Sequence, residues 1–354
     1  VIQIISGRVS HTAVEKDQDK SKEIHFVGGG PKMRIIKAVF IALILMTAIV
    51  PAAAAAEPYN FLAIPAEAQA VGMGRSYAAV TDDPSAIYWN PAGLAAMDSF
   101  GFSLNYGNLY GLGLHHGMIS AALPWGNGNT IGINAIGMWP SSSAAGMITT
   151  YPKLAGTVAD SSYGLSLAYA RRLGEHVHLG IAAKGFMQTL GSQQTKGFGF
   201  DVGAQFLIPL ASTEAETDAT GAVIEKKTHH GDLTIGLVAH DIYSLVYQPD
   251  GSTKHQLFRP VLGVAYLTPD QRLTISAEAE LRFTDKIHAD WRFGTEFKIT
   301  DFLVARAGVD NSYLTLGAGL NYKGFTLDYA YKMEQFWKVD TLNASHYVTF
   351  GYQF

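Results

Sequence analysis

The chain has 354 residues, 48% of them hydrophobic and only 16% charged, with 37 glycines, 17 tyrosines and a net charge of −4 at pH 7. An average soluble domain is roughly 25% charged, so this composition suits a membrane barrel better than a soluble enzyme, and the charge gives no reason to expect a nucleic-acid partner. The absence of cysteine excludes disulfides, thiolate catalysis and cysteine-ligated metals together.

Residues 1–32 are polar, lack periodicity and precede a plausible start methionine, so they read as an over-extended leader, with a genuine disordered extension as the alternative. Met33 opens the pattern of a secretory signal over residues 33–56. Arg34 and Lys37 form its positive region, Ala38 to Val50 its apolar core, and Ala54-Ala55-Ala56 a small-residue cleavage site. The apolar core is too short for a spanning helix and ends in Pro51, and no later stretch offers about 18 continuous apolar residues.

Residues 57–98 differ from what flanks them. Ala66 to Val80 reads as small-residue helix or compact loop, weakened by Gly72 and Gly74. Asp82 or Asp83 can cap a following helix whose first residue is Pro84. Ile87, Tyr88 and Trp89 supply one turn of bulky apolar surface, and Asn90-Pro91 ends it, because proline pushes its predecessor out of the helical region. A short, apolar, tightly turned segment ahead of a barrel fits a plug.

The run Gly72-Met73-Gly74, then Asp82, Asp83 and Ala86, then Trp89-Asn90-Pro91-Ala92-Gly93-Leu94 resembles the N-terminal hatch of the FadL-type outer-membrane transporters of hydrophobic compounds. It looks closer still to their PorV-like and UPF0164-type relatives. The resemblance implies a hatch whose gate involves Gly72, Gly74, Asp82, Asp83, Trp89, Asn90, Pro91 and Gly93.

From residue 99 to 354 the dominant signal is period two. Phe102, Leu104 and Tyr106 oppose Ser103 and Asn105, and Tyr163, Leu165, Leu167 and Tyr169 oppose Gly164, Ser166 and Ala168. Leu273, Ile275, Ala277, Ala279 and Leu281 oppose Ser276, Glu278, Glu280 and Arg282. Such segments, apolar outward and polar inward, predict an all-β, antiparallel outer-membrane barrel of about fourteen strands. The expected starts lie near Phe100, His116, Thr130, Ser162, His176, Gly197, Asp232, Phe258, Arg272, Trp291, Phe302, Leu314, Gly324 and Ser345. The second and third are Gly/Ala-rich, which suggests a bend or an opening in the wall. Short periplasmic turns should alternate with longer outer loops. Pro209 to Gly231 breaks that parity as a long, charged connection, so it hides either a missed strand pair or a solvated flap. The last strand places Phe350, Tyr352 and Phe354 on one face, which resembles the terminal signal read by the barrel assembly machinery.

Inward charges concentrate on the later strands: Glu278, Glu280, Arg282, Arg292, Glu296, Lys298, Arg306, Asp310, Asp328 and Lys332. They form either a self-neutralising lumen network or a lining that steers a substrate headgroup, and in both cases pairing is expected, since unpaired burial costs several kcal/mol per charge. His115-His116 and His229-His230 are adjacent pairs that a strand sends to opposite faces, so no metal site is expected. Gly197 to Gly203 lies within a strand, which leaves nucleotide binding unsupported, and no Ser-His-acid set emerges. Leu109-Tyr110-Gly111-Leu112 and Phe336-Trp337 are either a greasy landing site or part of an aromatic girdle. The resemblance implies passive, hatch-gated uptake of hydrophobic small molecules, of the long-chain fatty acid or hydrocarbon type, at the bacterial outer membrane. The expected partners are outer-membrane lipids, the hydrophobic ligand and the assembly machinery, and no enzymatic activity or cofactor is expected. The alternative is a PorV-like, non-enzymatic scaffold that holds an envelope protein during export.

Overall fold

The computed structural model describes residues 61–65, 67–111, 113–141, 161–217, 223–283, 287–333 and 344–354. The leader, the secretory signal, Leu112, most of the Trp139–Ser161 loop and Phe336-Trp337 lie outside the described residues.

Among the described residues fifteen strands follow the hatch: β1 (Gly101–Leu109), β2 (Leu114–Gly126), β3 (Asn129–Pro140), β4 (Ser161–Leu173), β5 (Val177–Leu190), β6 (Gln193–Thr217), β7 (Val223–Tyr247), β8 (Thr253–Lys254), β9 (Arg259–Leu267), β10 (Leu273–Phe283), β11 (Ile287–Lys298), β12 (Leu303–Asp310), β13 (Tyr313–Tyr322), β14 (Phe325–Lys332) and β15 (Ser345–Gln353). The two residues of β8 only extend the β7 edge. The other fourteen pair with their chain neighbours, and β1 pairs with β15 from Gly101↔Gln353 to Asn108↔His346, so the sheet closes into an antiparallel barrel without edges. No described helix is long and apolar enough to cross a membrane.

The alternation predicts which way side chains point. Leu104, Tyr106, Tyr163, Leu165, Leu167, Ile275, Leu327 and Val348 are exposed on the outside, while Ser103, Asn105, Ser162, Ser276, Glu278 and Thr349 are buried inside. Trp125, Tyr169, Phe302, Tyr322, Phe325 and Phe354 gather at the rim where the hatch enters, and Tyr106, Trp139, Tyr163, Tyr243 and Tyr247 near the opposite rim. An apolar outer band between two aromatic girdles is how a barrel meets a bilayer. We call the hatch-entry rim proximal and the other distal. Phe354 sits on the proximal girdle, its ring 5.3 Å from that of Phe100.

Two expectations change. The β2–β3 ladder runs from Leu114↔Pro140 to Gly126↔Asn129 with one irregularity near Pro124, and β3–β4 pairs without a shift. The Gly/Ala-rich wall therefore has no opening: its small residues make room for the hatch. Within Pro209 to Gly231, the described residues continue β6 and β7 as a solvated ribbon, not as an additional strand pair. Beyond Leu207, β6 outruns β5, and β6 and β7 stay paired from Ala211↔His229 to Thr217↔Val223. Both strands are 25 residues long. From Ala211 to Thr217 the ribbon extends ~20 Å past the proximal rim at ~3.3 Å per residue.

Candidate functional site: hatch and lumen

The hatch supplies little secondary structure of its own: one turn at Phe61–Ala63, a helix at Ala68–Gly72, another at Ala86–Trp89 and a 3-10 turn at Pro91–Ala96. The helix expected from Pro84 begins at Ala86, and neither Asp82 nor Asp83 caps it: Ser85 stands at the cap position without a side-chain bond, and Asp83 Oδ1 accepts the Ser85 amide at 2.6 Å in the turn ahead. Asn90 ends one helix and starts the next turn: its Oδ1 accepts from the Ala92 amide at 3.1 Å, with Pro91 at the first position.

With so few internal bonds, the hatch backbone must find partners elsewhere, and wall side chains provide them. The Ala68 amide donates to Thr349 on β15, the Gly74 amide to Thr315 on β13, and the Tyr77 and Ala78 amides to one oxygen of Glu278 on β10 (3.0 and 2.8 Å). Gln205 on β6 donates to the carbonyls of Ala78 and Thr81, and Arg172 on β4 to that of Ala95. Followed in order, the segment travels around the inside of the wall as a ring. Inward glycines let it lie against the sheet. A Cβ on Gly308 would come within 2.2 Å of the Gly74 amide nitrogen, one on Gly236 within 2.3 Å of the Ala78 oxygen, and one on Gly203 within 2.0 Å of Asn90 Oδ1. Gly74, with φ +63°, turns the chain where its own Cβ would strike Phe293 and Val309 backbone. Gly72 meets Gly317, and Gly93 packs on the Thr81 carbonyl.

The centre of the ring is filled by its own side chains. Trp89 Nε1 donates to Glu67 Oε2 at 2.6 Å, and the Tyr77 hydroxyl donates to Asp83 Oδ2 at 3.0 Å. Trp89 meets Tyr77 and Tyr88 edge-on, with centroids 5.8 and 4.9 Å apart. Glu67 and Trp89 are 2% and 6% exposed. Burial, then the charge of Asp83, pushes the Glu67 carboxyl well above its usual range. Asp82 faces water in the proximal vestibule. The surrounding barrel and Asp83 also push its carboxyl upward, but water contact tempers the effect.

The lumen charges pair between adjacent strands or across one intervening strand. Arg292 donates to Glu278 and Glu280 at 2.6 Å each, and Arg306 to Glu296 (2.7 Å) and Asp328 (2.6 Å). Asp310 receives Lys332 at 3.0 Å and the hatch residue Arg75 at 3.4 Å. Arg282 stands apart, bridged to Asp290 at the distal end. A second cluster escaped the sequence reading. Lys184 lies 2.8 Å from both Asp201 and Asp241, and Arg259 joins Asp241 to Glu280. Asp201 could have been found: it occupies the inward phase between Phe200 and Val202. Asp241 could not, because it owes its position to a bulge in β7, where its φ is +56°.

The opposite side of the lumen is apolar. Phe61, Leu62, Val71, Leu109, Leu114, Met118, Ile136, Met138 and Tyr347 form one buried cluster. Leu109, expected in a landing site or girdle, is wholly buried here, and Tyr110 packs beside it. His115 points outward to the Tyr106 hydroxyl and His116 inward to the Pro65 carbonyl. His229 lies near Asp232 and His230 near Ser212. Among the described residues no group of three or more metal-ligating side chains converges.

The ring divides the interior. On its distal side is a cavity of about 40 Å³ lined by Leu62, Ile87, Tyr88, Trp89, Arg75, Arg259 and Arg292 among others. On its proximal side is a vestibule of about 480 Å³ lined by Glu67, Asp82, Asp83, Glu296, Arg306 and Asp328 among others. An apolar groove of about 380 Å³ marks the membrane face of β2–β4 around Ala121, Leu123, Ile131, Ile133 and Leu167. Behind it Gly132 has Ile87 of the hatch directly against its inner side.

No protein-family model matches the sequence, and no curated protein matches it significantly. Among solved structures, the chain is similar to the Ralstonia pickettii toluene transporter TbuX, with a TM-score of 0.52 and 12% identity over 81% of this chain and 98% of that one. A Pseudomonas aeruginosa FadL homologue gives a TM-score of 0.45 and 12% identity over 82% of this chain and 98% of that one. The TbuX likeness makes the fold that of a FadL-type outer-membrane barrel.

Proposed function

We propose that the protein passes hydrophobic small molecules of the hydrocarbon or fatty-acid type across the bacterial outer membrane, passively, without catalysis and under control of the hatch. The carrying observation is the closed ring: among the described residues the hatch separates a distal cavity of about 40 Å³ from the proximal vestibule, and the Phe61–Tyr347 cluster gives the lumen an apolar half. The solved structure of similar fold, TbuX, is a toluene transporter, which supports this class of cargo. A lateral exit through β2–β4 would break a continuous ladder in a medium without water, at several kcal/mol per unsatisfied group. The axial path past the hatch is therefore the cheaper one.

The test is accumulation of labelled toluene and of labelled oleate in cells that lack other uptake barrels. Expression should raise accumulation of at least one above the empty-vector level; no rise in either overturns the reading. The β6–β7 ribbon favours a second reading, the export scaffold, because it presents two free strand edges beyond the proximal rim. A stoichiometric envelope protein recovered with the barrel, and lost when the ribbon is shortened, would support that instead.

A further inference from the structure

We propose that the axial gate is the central cluster Glu67–Trp89–Tyr77–Asp83, and that it opens by rearrangement of these side chains while the hatch backbone stays on the wall. This rests on the uptake reading and goes further, by separating the part of the hatch that moves from the part that does not.

Two sets of bonds carry the inference. The hatch backbone is fastened outward: Ala68 to Thr349, Gly74 to Thr315, Tyr77 and Ala78 to Glu278, and Ala95 to Arg172. Asn90 belongs with these fastenings, since its Nδ2 donates to the Ala78 carbonyl at 2.8 Å and to the Ala204 carbonyl on β6 at 3.2 Å. The central side chains are fastened to one another: Trp89 to Glu67, and Tyr77 to Asp83. Lifting the ring would strip many buried amides and carbonyls of their partners at once, each left to bear its own desolvation penalty. Turning Trp89 away from Glu67 breaks one bond.

That bond lies on the partition. Trp89 lines the distal cavity and Glu67 the proximal vestibule, so parting them joins the two spaces. The opening is edged by the rings of Tyr77, Tyr88 and Trp89, surfaces that an apolar solute can slide past.

The experiment pins the ring and asks whether passage survives. The chain has no cysteine, so Ser76→Cys with Ser276→Cys, and Ala68→Cys with Thr349→Cys, offer defined pairs where hatch and wall touch. Each pair is bridged with a short bis-methanethiosulfonate, each cysteine thiolate displacing methanesulfinate to form a disulfide that a reductant later cleaves, and the barrel is checked for correct folding by its heat-modifiable gel mobility. Uptake that stays within the wild-type range in both bridged barrels is expected; loss of uptake on bridging, restored by cleavage, overturns the proposal. In planar bilayers, Trp89→Ala in the bridged barrel should raise ion conductance several-fold, with Glu67→Ala, which removes the acceptor, giving a smaller rise; wild-type conductance in both variants also overturns it. If the wild-type barrel takes up no hydrophobic compound, the uptake reading fails alone, and the conductance measurement still decides where the gate lies.

Discussion

Arg306 shows why the lumen charges are arranged as they are. It is 5% exposed and holds Glu296 on the adjacent β11 and, across β13, Asp328 on β14. Arg306→Met would leave two carboxylates without their cation, at a cost of ~3–5 kcal/mol, and should lower the temperature at which the barrel loses its folded gel mobility. Gly203→Val should also destabilise, by ~1–3 kcal/mol, because its Cβ would fall on Asn90. Displacement of the hatch in that variant would be read by limited proteolysis. Glu67 predicts a pH response. Its carboxyl in the folded hatch titrates well above the ordinary 4.5, so its ionisation opposes the closed state. Closure is firmest below about pH 4.5 and weakens as pH rises through the raised value. Proteolysis near Trp89 should therefore increase with pH, and Glu67→Gln should flatten the profile. Sequence singled out Trp89 and Asn90 but not their hydrogen-bond partners, since Glu67 and Ala204 are distant in the chain.

At the scale of elements, the strands were the most legible part. Ser345 begins β15 as the alternation indicates, and Gly101, Ser161 and Leu303 begin theirs one residue from expectation, because a one-residue slip would turn every apolar side chain into the lumen. The pattern fails where that constraint lapses. Past Leu207, β6 and β7 leave the membrane and need no apolar face, so their polar extension looked like a loop. The ribbon is therefore separable from the barrel. Replacing residues 212–228 with a two-residue Asn-Gly turn, which suits a hairpin, should leave barrel assembly and heat stability unchanged. A barrel that no longer folds after this replacement would show that the ribbon supports the wall.

Across the whole molecule, fold and plug are composed for each other. Sequence located the hatch through its turns and aromatics. It could not reveal that glycines on strands far apart would meet it, because that correspondence exists only once the barrel is closed. Gly308, Gly236, Gly203 and Gly180 leave room for hatch backbone, and Glu278 aims one oxygen at it. A barrel without residues 61–97 would keep those hollows and a carboxylate with two lost donors, so it should melt at a lower temperature than the complete protein. The same glycine belt has a consequence for biogenesis. A cylinder whose inner surface is cut to the shape of its filling cannot easily be filled after its seam is sealed. The hatch is then expected to be in place before β1 and β15 zip together, as the mandrel on which the sheet is wound.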